Sequence, residues 1–212
     1  QYRRARLLDY TSDKGGGGKY QSYKGSGVCL YLPQDSNRPE FWTDLAYDPT
    51  KPIVITEGEF DAISAHSRGL PCMAIAGVSM FLERKRNAQV VARPGNDIIW
   101  RSREVFICFD MDAESTPEQP WKPSVQAAGQ KLAMALALLG ANVQVINLAK
   151  TTVGRAHLGE KMGLSEYYMW GGTTKELWHC KEPLDFGSGD LLPLLDRYAN
   201  YRGKVLDCDT GT

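Results

Sequence analysis

The chain lacks any net charge, because 25 Lys and Arg balance 25 Asp and Glu over 212 residues. That excludes a globally basic protein but leaves a local basic face open, since field strength depends on distribution. Histidine is scarce: His66, His157 and His179 are scattered without metal-ligand spacing and read as structural or exposed. The five cysteines, Cys29, Cys72, Cys108, Cys180 and Cys208, form no C-x-x-C pair and are odd in number. This argues against structural zinc and suits a reducing cytosol. No apolar run is long enough to span a bilayer; the longest, "LAMALALLGANV", is too short. No signal peptide is recognised either, so the expectation is a cytoplasmic protein with no membrane partner. No G-x-G-x-x-G follows the first apolar strand, and "DKGGGGKY" lacks the GK[ST] ending of a P-loop. No serine pairs convincingly with a histidine and an acid, so acyl transfer has no support.

What is present is enough apolar sequence, 42% of residues, for one sizeable core or a core plus a smaller appendage. Gln1 rather than Met at the start suggests a piece of a longer chain. Residues 1–50 open with a basic stretch, "QYRRARLL", and a glycine-rich loop. "GVCLYLP" reads as a strand, and a short helix is expected near Trp42 to Tyr47. From Pro52 onward the pattern alternates. "IVIT" is a β-branched strand. "EFDAISAHSRGL" is a short helix with Phe60, Ile63, Ala62 and His66 as candidates for its inner side and Gly69 as its stop. "PCMAIAGV" is a strand, "SMFLERKRNAQVVA" a helix, and "VFICF" a strand apolar on both faces, with Cys108 as a core thiol. Residues 124–142 form a long helix, and "VQVINL" is another strand. This alternation predicts an α/β fold, a parallel sheet with helices on both faces. "GLSEYYMWGGTTKELWHC" predicts two short helices with an N-cap in "GGTT". Residues 183–212 are assigned neither to this domain nor to another.

The acids fall where the strands end. Glu57 follows "IVIT", and Asp110 and Asp112 follow "VFICF". Ligands of open parallel sheets collect outside the carboxyl ends of strands, so neighbouring strands would make these carboxylates converge. Asp110 and Asp112, two apart in extended backbone, would project to one side, with Glu114 continuing the alternation. Converging carboxylates repel by about 1 kcal/mol at 4 Å in water and about 4 at an effective dielectric of 20. Either their pKa values rise or a cation neutralises them. Hard oxygens with open positions suit Mg²⁺ or Mn²⁺, which keep waters and recruit phosphate. Gly58 would allow close approach of backbone or ligand. Asp61, one turn further on, would bind metal through water or hold a basic neighbour. The competing interpretation is a solvated acidic rim.

"ITEGEFDAISA" followed by "VFICFDMDAE" resembles the TOPRIM domain of DnaG-type primases, topoisomerases and some nucleases. The likeness covers residues 51–150. It implies a TOPRIM-type Rossmann-like sheet in which Glu57, Asp110 and Asp112 are catalytic acids and metal ligands, with Asp61 the acid of a primase-type E-G-x-x-D. The flanks "GKYQSYKGSGVCLYLP" and "GLSEYYMWGGTTKEL" resemble segments around the TOPRIM domain in phage and plasmid primase-like proteins. Three parts follow: a basic N-terminal subdomain (1–50), the TOPRIM domain (51–150) and an extension (151–212). Where such relatives carry an aspartate pair, this chain has Ser165 and Glu166, and Glu166 is the substitute ligand to test. The zinc module of full primases is absent from this sequence.

The resemblance implies a primase-like nucleotidyl transferase making short primers on single-stranded DNA from nucleoside triphosphates. It implies one or two Mg²⁺ or Mn²⁺ ions, no zinc, and a replicative helicase, fused or docked, as partner. The setting would be a phage or mobile element, in the host cytoplasm or nucleoid. Arg3, Arg4, Arg6, Lys19 and Lys24 would track template phosphates, Tyr20 and Tyr23 would stack on bases, and Lys85 within "ERKR" would add positive charge. Gly25 and Gly27 in "KGSG" would let amides approach a phosphate. Two rivals remain open: a TOPRIM metal-dependent nuclease, and a non-catalytic, metal-dependent nucleic-acid-binding module. A topoisomerase would need a nucleophilic tyrosine, and Tyr167, Tyr168 and Tyr201 have no context marking them for it.

Overall fold

The computed structural model describes residues 4–6, 20–22, 29–85, 88–91 and 97–183. Strands β1 (Arg4–Arg6) and β2 (Tyr20–Ser22) pair antiparallel. Helix α1 (Phe41–Tyr47) is followed by β3 (Ile53–Glu57), α2 (Glu59–His66) and β4 (Cys72–Ile75). A small hairpin, β5 (Leu82–Lys85) and β6 (Ala88–Val91), precedes β7 (Glu104–Cys108). Helix α3 (Pro123–Leu138) returns the chain to β8 (Asn142–Ile146). A 3₁₀ turn at Leu148–Lys150 leads to the short helices α4 (Thr152–Ala156), α5 (Leu164–Met169) and α6 (Thr174–His179), and then to β9 (Lys181–Pro183).

The main sheet has five strands in the order β4-β3-β7-β8-β9, the first four parallel and the last antiparallel. With helices on both faces it is a Rossmann-like α/β fold. The two faces explain why the central strands carry unbroken apolar runs, Ile53 to Ile55 in β3 and Val105 to Cys108 in β7. Ile53, Ile55, Val105, Ile107 and Phe109 face one cluster with Leu45 of α1, Trp121, and Leu132 and Leu136 of α3. Val54, Phe106 and Cys108 face the other, with Ala62 and Ala65 of α2, Leu164 and Tyr167 of α5, and Leu177 of α6. Period-2 alternation sends successive side chains to opposite faces, and both faces are dry. These clusters run through positions 50 and 150 without a break: Leu30 and Leu45 belong to the first, Leu164 and Leu177 to the second.

Arg103 locks α1 to the sheet. It is fully buried, and its guanidinium donates to the carbonyls of Ile99 (2.8 Å), Lys51 (2.7 Å), Leu45 (2.8 Å) and Ala46 (3.1 Å). A buried cation is tolerated because its rigid fork of donors is filled.

Three local expectations are corrected. The helix expected across "SMFLERKRNAQVVA" is the β5–β6 hairpin, in which Leu82 pairs antiparallel with Val91 and Lys85 with Ala88. The described part of "GVCLYLP", residues 29–33, forms isolated bridges rather than a continuous strand: Tyr31 pairs antiparallel with Ala74 on the edge of β4, and Pro33 offers no donor to extend it. On α2, Phe60 and Ile63 point outward, 56% and 42% exposed, while Ala62, Ala65 and His66 face inward. The helix is packed among the sheet and α5, where short side chains fit. His66 is enclosed by the rings of Phe41 (4.7 Å) and Trp42 (5.6 Å). The described cysteines, Cys29, Cys72, Cys108 and Cys180, are free thiols. Among the described residues no helix is long and apolar enough to cross a membrane.

Candidate functional site

The carboxyl ends of β3 and β7 lie side by side, because Thr56 is in register with Cys108. Glu57 ends β3, and Asp110 lies just past β7. Gly58 turns the chain from β3 into α2 at φ +96, a conformation that favours glycine, and a Cβ there would stand 3.2 Å from Asp61 Oδ2. The turn therefore brings Asp61, in the first turn of α2, back over the strand ends.

The third wall comes from far along the chain. Met111 and Met162 exchange two backbone hydrogen bonds of 2.9 Å. This bridge sets Lys161, Gly163 and the start of α5 against the acids. Lys161 Nζ lies 3.1 Å from Asp110 Oδ2. The backbone N–H and the hydroxyl of Ser165 both donate to Asp61 Oδ1, at 2.7 and 2.8 Å. Glu166 Oε2 accepts from Gly163 N–H (3.0 Å) and from the Ser165 hydroxyl (3.1 Å). Gly163 is the floor of this pocket: a Cβ there would sit 2.6 Å from Asp61 Oδ1 and 2.9 Å from Asp110 Oδ1.

The electrostatics follow from that crowding. Burial raises the Asp61 carboxyl to about 6, Asp110 and Glu166 add to the rise, and the Ser165 hydrogen bonds oppose it. Burial also raises Asp110 to about 6; the Lys161 ammonium opposes this, while Glu57 and Glu166 add to it. Lys161 is itself raised, chiefly by Asp110. Asp110 Oδ1 is buried and has no hydrogen-bond partner. Two carboxyls pushed toward neutrality, with an orphaned oxygen between them, are the mark of a site built for something else than folding.

The remaining acids divide. Asp112 does not join the principal charges acting on Asp61 or Asp110. Just past Met111 the chain turns: Asp112 N–H donates to Ser115 Oγ (2.8 Å), and Asp112 Oδ1 accepts from Glu114 N–H (3.0 Å). Its Oδ2 faces Lys122 Nζ at 3.4 Å. Glu114 is exposed on the same turn. The extended backbone expected to run on to Glu114 therefore ends at Asp112, where an Asx-type turn begins. Among the described residues no three side chains of His, Cys, Asp or Glu stand together as a metal-holding group.

Of the basic residues, Arg4 and Arg6 lie on β1, Tyr20 on β2 and Lys85 on β5. Arg3, Lys19, Tyr23, Lys24, Gly25 and Gly27 fall outside the described residues. Lys161, Gly163 and the anchoring role of Ser165 were not anticipated. The only sequence signal for them is "KMGLSE", a lysine and glycine just ahead of a polar pair.

Fold and site together define an α/β domain with an acidic cluster at the carboxyl edge of its two central strands. The chain belongs to the family described as "Domain of unknown function (DUF3854)", whose pattern matches residues 41–155, more than half of its length. No curated protein and no solved structure matches it.

The donor set can be tested against a divalent ion on its chemistry alone. Asp61 and Asp110 present hard oxygens, one of them unpartnered, and Glu57 and Glu166 add negative potential. A hard cation that keeps several waters and recruits a phosphate needs no more than one or two carboxylates from protein. The residues fit such an ion.

Proposed function

We propose that this chain is the catalytic core of a TOPRIM-type, primase-like nucleotidyl transferase, making short primers on single-stranded DNA in the replication of a phage or plasmid. The observation that carries this reading is the buried Asp61–Asp110 pair, with Glu57 beside it, at the carboxyl edge of the sheet. Substrates would be nucleoside triphosphates and a single-stranded template, and a replicative helicase the partner, in the cytoplasm or nucleoid of the host.

Glu57, Asp61 and Asp110 would hold Mg²⁺ or Mn²⁺, with Asp112 the ligand of a second ion. Bound there, divalent ions neutralise charge on the transferring phosphoryl group and on the attacking and leaving oxygens. The protein's own part is positioning. Ser165 fixes the orientation of Asp61 through two hydrogen bonds. Gly58 and Gly163 let the backbone pass close to the Asp61 and Asp110 carboxylates, where a side chain would press on them. Glu57 accepts the proton of the attacking 3′-hydroxyl at its carboxylate. Walls formed by Met111, Met162 and Leu164, all buried, exclude water beneath the acids.

A second reading, a metal-dependent nucleic-acid-binding module without synthesis, is favoured by one observation: Asp112 is engaged by Lys122 and its own turn. One assay separates the readings. Full-length protein, single-stranded template, labelled ribonucleotides or deoxynucleotides, and Mn²⁺ should give short oligomers that Asp110→Asn abolishes. Template cleavage without nucleotides would point to a nuclease. Salt-sensitive binding without either product would support the binding module and overturn the primase reading.

A further inference from the structure

The acidic cluster holds four carboxylates, Glu57, Asp61, Asp110 and Glu166, and among the described residues one ammonium group reaches it. That group, Lys161 Nζ, covers a single oxygen of Asp110 and leaves the other buried and unpaired. The two ends of the ion pair differ sharply. The Asp110 side chain is 15% exposed and cannot leave; the Lys161 side chain is 72% exposed, on a flexible four-carbon stem. Its backbone cannot drift, because the adjacent Met162 is fixed to Met111 by two hydrogen bonds. The structure thus has a tethered, mobile cation anchored beside a fixed anion.

Resting on the metal-dependent reading above, we propose that Lys161 is a built-in counter-ion. It stands beside Asp110 when the divalent ion is absent, yields that place when the ion arrives, and then pairs with the phosphates of the bound nucleoside triphosphate. The reasoning is electrostatic. An ammonium beside Asp110 Oδ2 and a divalent cation on Oδ1 of the same carboxylate repel each other strongly. The displaced ammonium needs only to swing outward to meet an incoming anion held on the same ion. The same lysine then opposes metal binding and supports nucleotide binding. A residue serving only as a surface ion pair, or only as a phosphate contact, would not show both signs.

The test uses full-length protein and two equilibrium measurements that do not depend on turnover. Mn²⁺ binding is followed by the electron paramagnetic resonance of the free ion. Binding of a non-hydrolysable nucleoside triphosphate analogue is measured in saturating Mn²⁺ by calorimetry. Lys161→Gln should bind Mn²⁺ about 1.5-fold to fivefold more tightly, the range set by losing one exposed ion pair. It should bind the analogue several-fold more weakly. Lys161→Arg, which keeps the charge, should stay close to wild type in Mn²⁺ binding. Mn²⁺ binding by Lys161→Gln that is unchanged or weaker, or analogue binding that is unchanged, overturns the counter-ion role while leaving the metal site standing. A wild-type protein that binds no Mn²⁺ overturns both.

Discussion

Replacing Asp61 with Asn should make the metal-free protein more stable at neutral pH. Burial and the Asp110 and Glu166 charges lift the Asp61 carboxyl from 3.8 to about 6, so folding holds a carboxylate where it is unwelcome. At 1.36 kcal/mol for each tenfold change in protonation, the cost of keeping Asp61 ionised approaches roughly 3 kcal/mol. Asn keeps the acceptor for the two Ser165 hydrogen bonds and drops the charge. Weaker hydrogen bonds to a neutral amide offset part of the gain, so the expected stabilisation is about 1–3 kcal/mol. The sign with pH follows from the folded carboxyl binding its proton more tightly than the unfolded one. Below about pH 4 both states are protonated and the variant has no advantage from charge. The advantage grows as pH rises through about 6 and is complete above it. The groups facing Asp61 are Asp110 beyond β7, Ser165 and Glu166 from α5, and Lys161, which acts through Asp110. Urea unfolding of both proteins in EDTA at pH 4 and pH 7.5 measures the difference. A variant no more stable than wild type at pH 7.5, or an equal gain at both pH values, would refute the reasoning.

Other substitutions test other parts of the structure. Arg103→Met should cost about 3–5 kcal/mol in urea unfolding, because four carbonyls lose their donor inside the core. A cost below about 1 kcal/mol would mean that water reaches those carbonyls. Gly163→Ala should weaken Mn²⁺ binding at least tenfold while far-ultraviolet circular dichroism stays native, since the new Cβ pushes on both Asp61 and Asp110; wild-type affinity would contradict the crowding. Ser165→Ala should raise the Asp61 carboxyl further, because the hydroxyl bond that holds it down is lost. A ¹³C NMR titration of the aspartate carboxyls would show this as a higher midpoint for that resonance.

The central strands were legible because Ile53 to Ile55 and Val105 to Cys108 are apolar without alternation, the pattern of a doubly covered sheet. Once β3 and β7 are placed, Glu57 and Asp110 follow from where those strands end. The inner face of α2 was legible only in part. Ala62 and His66 were candidates for it and are buried, but the larger apolar side chains of Phe60 and Ile63 point outward, because close packing among the sheet and α5 selects short side chains such as Ala62 and Ala65. The β5–β6 hairpin was missed because "LERKRNAQVV" mixes strong helix formers with valines and has no clear period. Glu114 was misplaced for a local reason: strand alternation was carried past Asp112, into the turn held by Ser115 and Asp112. Lys161 was beyond sequence reasoning altogether. It reaches Asp110 through the Met111–Met162 bridge, a long-range pairing that neither segment advertises.

A titration of Mn²⁺ into full-length wild type, Asp110→Asn and Asp112→Asn tests the central claim most directly. Wild type should show a saturable site at pH 7.5, Asp110→Asn should lose at least tenfold in affinity for it, and Asp112→Asn should retain it. Mn²⁺ binding that is absent from wild type, or that survives intact in Asp110→Asn, would contradict the account.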